Sequence, residues 1–190
     1  PPGSAPVATL WDGPTTSAAG MISPASVGDS LLLVCTTSAS GFDRPFLWEP
    51  LTDTRRSIPA LDDIPGQVTP VCFSDDGGKL LLQQLHQAKV TLHLLRVTAG
   101  TVDSLDAQPH GVVSSAYFDK KTGEVVVSFA NEATAPMVFA LDPNQQGTAT
   151  RALLPAGAKL PSVVSASNPR SFESISFESE NGATVQGWLA

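Results

Sequence analysis

Concentrated positive charge is the plainest lack in this 190-residue chain. It carries 11 Lys and Arg against 18 Asp and Glu, and its basic residues run no longer than the pairs Arg55-Arg56 and Lys120-Lys121. Nucleic-acid binding needs clustered cations that displace counterions from phosphates, so no nucleic-acid partner is expected. The formal charge of −7 favours solubility and names no partner. Long apolar runs are missing too: none approaches the ~20 residues that span a bilayer, and no membrane attachment is expected. The opening Pro1-Pro-Gly-Ser-Ala-Pro6 has neither the charged nor the apolar region of a secretory signal, and reads as a linker or a cut end. With no Asn-x-Ser/Thr sequon either, the expected setting is cytoplasmic.

Catalytic vocabulary is equally sparse. No G-x-S-x-G nucleophile elbow occurs. Ser114 and Ser115 lie in Gly111-Val-Val-Ser-Ser-Ala116, which lacks the second glycine and reads as a strand. The three histidines, His86, His93 and His110, form no H-E-x-x-H or H-x-H arrangement. They read as exposed, capping or loop residues. Asp62-Asp63 and Asp75-Asp76 fall at turns, where adjacent carboxylates point apart instead of facing one cleft. Asp75-Asp76-Gly77-Gly78 lacks the further ligands of a calcium loop. No catalytic residue, metal site or cofactor is therefore expected within the chain. Two cysteines, Cys35 and Cys72, are too few for a disulfide framework. Each sits in an apolar run and reads as a small buried hydrophobe, with a disulfide between neighbouring units as the sharper alternative.

What is present is a regular supply of turns and short apolar runs: 16 Pro and 15 Gly spread through a chain that is 42% hydrophobic. The runs fall into three sets of four. The first is Met21–Pro24, Ser30–Thr36, Pro45–Glu49 and Arg55–Ile58. The second is Thr69–Phe73, Lys79–Leu85, Val90–Val97 and Thr101–Leu105, and the third is Val112–Phe118, Glu124–Phe129, Met137–Leu141 and Thr148–Leu154. In each set a polar, glycine-containing turn precedes three consecutive apolar residues: Leu31–Leu33, Leu80–Leu82 and Val125–Val127. The turn glycines Gly28, Gly78 and Gly123 are 50 and 45 residues apart. Four strands repeated at ~40–50 residues are the pattern of β-propeller blades, which cover both faces of a twisted sheet by stacking radially.

One segment competes with this reading. Leu81, Leu85, Ala88, Leu92 and Leu95 fall at helical spacing. The equivalent stretch of the third unit, Glu124–Ala140, is Val-rich and broken by Pro136, so the hairpin reading is preferred. With a turn near Gln87-Ala88, that hairpin sets His93 opposite Leu82 and leaves His86 at the tip. The expected organisation is a linker or outer strand over 1–19, blades over about 20–60, 66–106 and 111–155, a Pro/Ala/Ser-rich linker over 156–170, and a closing hairpin over 171–190. The fold class is all-β.

The closing stretch is the most specific. Alternating runs Glu173–Glu178 and Ala183–Leu189 flank Ser179-Glu-Asn-Gly182, which signals a hairpin, with Asn-Gly supplying the two positive-φ positions of a tight type I′ turn. A strand with one polar face, a Glu-Asn-Gly turn and a strand closing on Gly187-Trp-Leu189 resembles the start of the α/β-hydrolase domain in the prolyl oligopeptidase family of serine peptidases, the acylaminoacyl-peptidase branch above all. There the hairpin follows a β-propeller and precedes the catalytic domain. The resemblance implies a partial propeller of about three four-stranded blades, followed by a hairpin of an α/β-hydrolase domain. It implies a non-catalytic segment that caps the active site of a serine hydrolase and filters substrate by size. The catalytic Ser, Asp and His would lie downstream of the hairpin, so none is carried over.

Propellers of that family have more than three blades. The expected partners are a companion polypeptide with the hydrolase domain and remaining blades, or a second copy, together with a peptide-like or acyl substrate. Arg44, Arg55 and Arg56 are the candidates for contacting a substrate carboxylate; surface arginine is the plainer reading of each. Trp11, Trp48 and Trp188 read as packing residues. Two other functions fit the repeats: a non-enzymatic propeller that binds proteins, with the last hairpin as a partial blade, and a stand-alone β-sandwich.

Overall fold

The computed structural model describes residues 8–13, 19–27, 30–87, 89–105, 112–131, 134–145, 150–154 and 173–189. The expected linker over 156–170 and His110 lie outside them. Among the described residues, β-strands form three four-stranded antiparallel sheets and one two-stranded sheet. Blade 1 is β1 (Ala19–Val27), β2 (Ser30–Thr37), β3 (Arg44–Glu49) and β4 (Thr54–Arg56). Blade 2 is β5 (Gln67–Phe73), β6 (Lys79–His86), β7 (Lys89–Arg96) and β8 (Thr101–Ser104). Blade 3 is β9 (Val112–Phe118), β10 (Val125–Asn131), β11 (Thr134–Leu141) and β12 (Thr150–Leu154). Within each blade spatial order follows chain order, and the first strand of blade 2, β5, meets the first strands of both neighbours, β1 and β9. This is an all-β partial propeller. The closing hairpin is β13 (Glu173–Glu178) and β14 (Thr184–Leu189).

The triple apolar runs explain the stacking. A strand covered on one face alternates, whereas one covered on both reads as continuously apolar. Leu80 and Leu82 of β6 turn toward blade 1 and pack with Leu32, Val34 and Leu47. Leu81 turns the other way and packs with Val125, Val127 and Phe129 of blade 3. At the second seam Phe129 and Phe139 meet edge-on, with ring centroids 6.3 Å apart.

The segments between blades take part in these seams. Strand β4 stops at Arg56, short of the expected Ile58. Pro59 then opens a 3-10 turn, Pro59–Leu61, because its ring fixes φ and removes a ladder donor. Ile58 and Leu61 drop into the seam between blades 1 and 2, and Leu105 packs into the one between blades 2 and 3. Leu10 packs on the outer face of blade 1. Leu10, Leu61 and Leu105 each precede Gly28, Gly78 and Gly123 by 17 or 18 residues, so the aliphatic plug belongs to the repeat as much as the turn does.

The helical spacing over Lys79–Leu95 loses to the sheet. Leu82 pairs with His93 and His86 with Lys89, the register expected from the hairpin reading, and Gln87 takes φ 50° at the tip. The turn of the closing hairpin corrects an expectation. Gly182 has φ 79°, but Asn181 is not among the positive-φ residues, so it is not type I′. Gly182 N–H donates to Ser179 O and Ser179 N–H to Ala183 O, a type I turn followed by a glycine bulge. Blade 2 makes a related turn, with Gly77 N–H donating to Ser74 O and Gly77 at φ 67°, but it is one residue longer, Ser74 N–H donating to Lys79 O. The left-handed position there is Gly77, one residue before the glycine picked out by spacing.

Candidate functional site

The three candidate arginines do not converge. The Arg44 guanidinium donates to the carbonyls of Ile64, at 2.8 Å, and Gly66. It thereby clamps the segment joining blades 1 and 2. Arg55 ion-pairs with Asp12 and lies 3.8 Å above the Phe46 ring. Arg56 pairs with Glu49 at 2.9 Å and keeps 45% of its side chain exposed. The β3–β4 register sets Arg55 beside Trp48 and Arg56 beside Leu47, so the adjacent arginines take opposite faces.

No hydrolytic constellation assembles among the described residues. Ser114 donates to the Ser128 hydroxyl at 3.0 Å, and no histidine shares that strand pair. His86 sits at a hairpin tip. His93, expected exposed or capping, is buried. Its Nε2–H donates to Gln84 Oε1 at 2.8 Å, and Gln84 Nε2 donates to Pro65 O at 2.7 Å. A carbonyl can only accept, so this chain fixes the amide orientation and requires a proton on Nε2 of His93. The relay ties blade 2 to the same interblade segment that Arg44 holds. Sequence reasoning missed it because nothing local to Gln84 or His93 marks the carbonyl of Pro65.

The remaining groups are structural. Cys35 and Cys72 are free thiols. They pack in different clusters, Cys35 with Phe46 and Trp48, Cys72 in the seam between blades 2 and 3, so no disulfide joins the blades. Burial pushes both thiols up, for Cys35 against the pull of the Arg55 cation. Asp76 is held below its ordinary value by the Ser74 hydroxyl and the Gly78 N–H. Asp119 is lowered by the N–H groups of Thr122 and Lys121. Both serve turns. No group of three or more His, Cys, Asp or Glu suited to a metal occurs among the described residues, nor does a helix long and apolar enough to cross a membrane. Trp48 is buried, as a packing residue should be, but Trp11 is 77% exposed.

Exposed large apolar side chains are scattered over the blades, Phe42 and Leu51 in blade 1 and Val112, Tyr117 and Leu153 in blade 3 among them. The closing hairpin shows Ile175, Phe177, Val185 and Leu189. Its register pairs Phe177 with Val185, Ile175 with Gly187 and Glu173 with Leu189, so these apolar side chains share one face. Ser176, Glu178, Thr184 and Gln186 take the other. Such a two-stranded sheet is marginal alone and is built to have its apolar face covered. Among the described residues the arrangement is a scaffold with exposed apolar side chains.

The fold thus defines a β-propeller segment. Two of the solved structures that share it are these. One is described as a structural and mechanistic analysis of two prolyl endopeptidases, concerned with inter-domain dynamics in catalysis and specificity. That likeness has a TM-score of 0.66 at 15% identity and covers 92% of this chain and 24% of the other. The second is a serine-to-alanine mutant of puromycin hydrolase complexed with PGG, with a TM-score of 0.59 at 13% identity, covering 92% of this chain and 25% of that one. The chain therefore spans about a quarter of the length of either. At these identities the likeness is one of fold, and at that level it meets the resemblance read from the closing hairpin. No protein-family model and no curated protein matches the sequence.

Proposed function

We propose that this chain is the non-catalytic propeller segment of a serine hydrolase resembling the prolyl oligopeptidase family, capping its active site and filtering substrates by size. The observation that carries the reading is the fold shared with prolyl endopeptidases over 92% of the chain. The closing hairpin adds to it. In the blades, strands β2, β6 and β10 carry three apolar residues in a row because both faces are covered. Strand β13 alternates Glu-Ser-Ile-Ser-Phe-Glu, the pattern of a sheet covered on one face only. That favours the first strands of a different domain over a fourth blade, and with it the hydrolase over the alternative of a non-enzymatic propeller that binds proteins.

On this reading the nucleophile, its base and the oxyanion hole belong to a hydrolase domain outside these 190 residues, together with the remaining blades. The substrate is peptide-like or acyl, and the setting cytoplasmic. Arg56 is the arginine most able to meet a substrate carboxylate, being half-exposed and held by one ion pair.

The test is native mass spectrometry of the protein from its source after treatment with a fluorophosphonate serine probe. A labelled hydrolase domain, in the same polypeptide or in a tightly held companion, is the expected result. A stable monomer that takes no label would count decisively against the reading.

A further inference from the structure

Aligned by their repeat, the three blades differ in kind at one site. The third residue of each triple run, Leu33, Leu82 or Val127, pairs across the sheet with Trp48, His93 or Phe139. Two residues further along, on the same strand face, stand Cys35, Gln84 and Phe129. In blade 1 the site holds Cys35 and Trp48, and in blade 3 Phe129 and Phe139, each inside an apolar cluster. In blade 2 it holds Gln84 and His93, both buried and hydrogen-bonded to each other. A buried polar pair adds no more stability than apolar residues of the same shape would, so stability does not account for it.

Its partner does. Gln84 Nε2 donates to Pro65 O at 2.7 Å. The carbonyls on either side of Pro65, those of Ile64 and Gly66, are both taken by Arg44 of blade 1. The middle carbonyl is therefore set in place by blade 1 and read by blade 2. Gly66 leaves this segment no slack, since a Cβ there would meet the Leu85 carbonyl and the His86 side chain.

We propose that the Gln84–His93 pair is an address, which admits to this face of blade 2 only blade 1 with its connector clamped by Arg44. The apolar ladders cannot make that choice. Leu80 and Leu82 meet Leu32 and Val34 in one seam, Leu81 meets Val125 and Val127 in the other, and aliphatic side chains of similar size pack against either set. Misassembly of similar repeats, within one chain or between two copies, is the hazard of such stacks. The face of blade 3, or a blade 1 whose connector is unclamped, brings no carbonyl to Gln84. It strands a buried amide, which disfavours the wrong stack about tenfold or more. This inference concerns the order of the blades and does not depend on the proposed hydrolase.

The test replaces the pair in the intact protein by apolar residues of similar volume, Gln84→Met with His93→Leu. Because both partners of the hydrogen bond go together, the urea midpoint should stay close to the parent's, whereas either change alone should lower it. After dilution from urea the double variant should give about tenfold more off-native oligomer than the parent, read by size exclusion. Refolded as a mixture of light and heavy isotopic forms, it should show mixed oligomers in native mass spectrometry. Arg44→Met, which keeps the pair and frees the connector, should raise the oligomer as well. Val127→Ala thins the other seam without touching a polar group and serves as the control. Refolding of the double variant at the parent's yield would overturn the address. So would oligomer as abundant in the control as in the double variant, because misassembly would then follow lost stability. A double variant that does not fold would overturn it too, because the pair would then be holding the blade and not choosing its neighbour.

Discussion

The sequence offers Arg44 as a candidate substrate contact, and its partners in the structure are the carbonyls of Ile64 and Gly66. The same guanidinium that could bind a carboxylate satisfies part-buried backbone oxygens when the chain brings them within reach. Arg44→Met should therefore destabilise the fold by about 2–3 kcal/mol, the cost of leaving charge-assisted acceptors unpaired; urea denaturation measures it. Gly66 is the matching backbone position. It has φ 76°, and a Cβ there would collide with the carbonyl of Leu85 and the side chain of His86. Gly66→Ala should cost about 2 kcal/mol or more, strain and overpacking together, by the same measurement.

The lowered turn carboxyls give a pH dependence of known sign. Asp76 and Asp119 both titrate below their ordinary 3.8 in the folded chain. What they add to stability is complete above that value and disappears as pH falls through the lower folded one. Hydrogen exchange at the Gly78, Lys121 and Thr122 amides should consequently stay constant from neutral pH to about 5, after correction for intrinsic rates, and speed up in stronger acid.

At the level of elements, the triple apolar runs carried most of what could be read. Leu31–Leu33, Leu80–Leu82 and Val125–Val127 announce strands wet on neither face, and periodicity alone places them. The helical spacing over Lys79–Leu95 could not be settled that way, because strong helix formers and a two-faced buried strand look alike over so short a stretch. It was the repeat, set by the neighbouring units, that decided for the hairpin. The type of turn at Asn181-Gly182 was misjudged for a related reason. Asn-Gly suits a type I′ turn, but here Ser179 accepts the Gly182 N–H, and the loop lengthens into a bulge. For the hairpin as an element the expected outcome is a separation of effects. Ile175→Ser with Phe177→Ser should leave unfolding of the blades within about 0.5 kcal/mol, as surface changes do, since the altered side chains are already exposed. The same pair of changes should weaken association with a hydrolase domain, read by co-purification.

Over the whole molecule, stability should peak in the middle. Blade 2 has a blade on each side, and Val68, Leu80, Leu81, Leu82, Leu94 and Leu95 are at most 1% exposed. In a stack where each unit gains from its neighbours, the central unit opens last. Native-state hydrogen exchange should be slowest at β6 and β7 and faster at β12, whose described side chains are exposed. Equal protection across the three blades would contradict that ordering.

By itself the sequence determined the class of fold, the number and order of the blade strands, and the absence of any legible catalytic motif, because burial on both faces and a fixed repeat are written in residue type and spacing. It also pointed through its last 18 residues to the solved structures whose fold it shares. Only the tertiary structure decided what the polar residues do. Arg44 on Ile64 and Gly66, His93 on Gln84 and Gln84 on Pro65, and Arg55 between Phe46 and Asp12 are contacts across 9 to 43 residues of chain. Their partners are backbone carbonyls and side chains that no local pattern marks: His93 meets Gln84 and Arg55 meets Phe46 across paired strands of one blade, while Arg44, Gln84 and Arg55 reach segments outside the sheets that only the folded chain brings near.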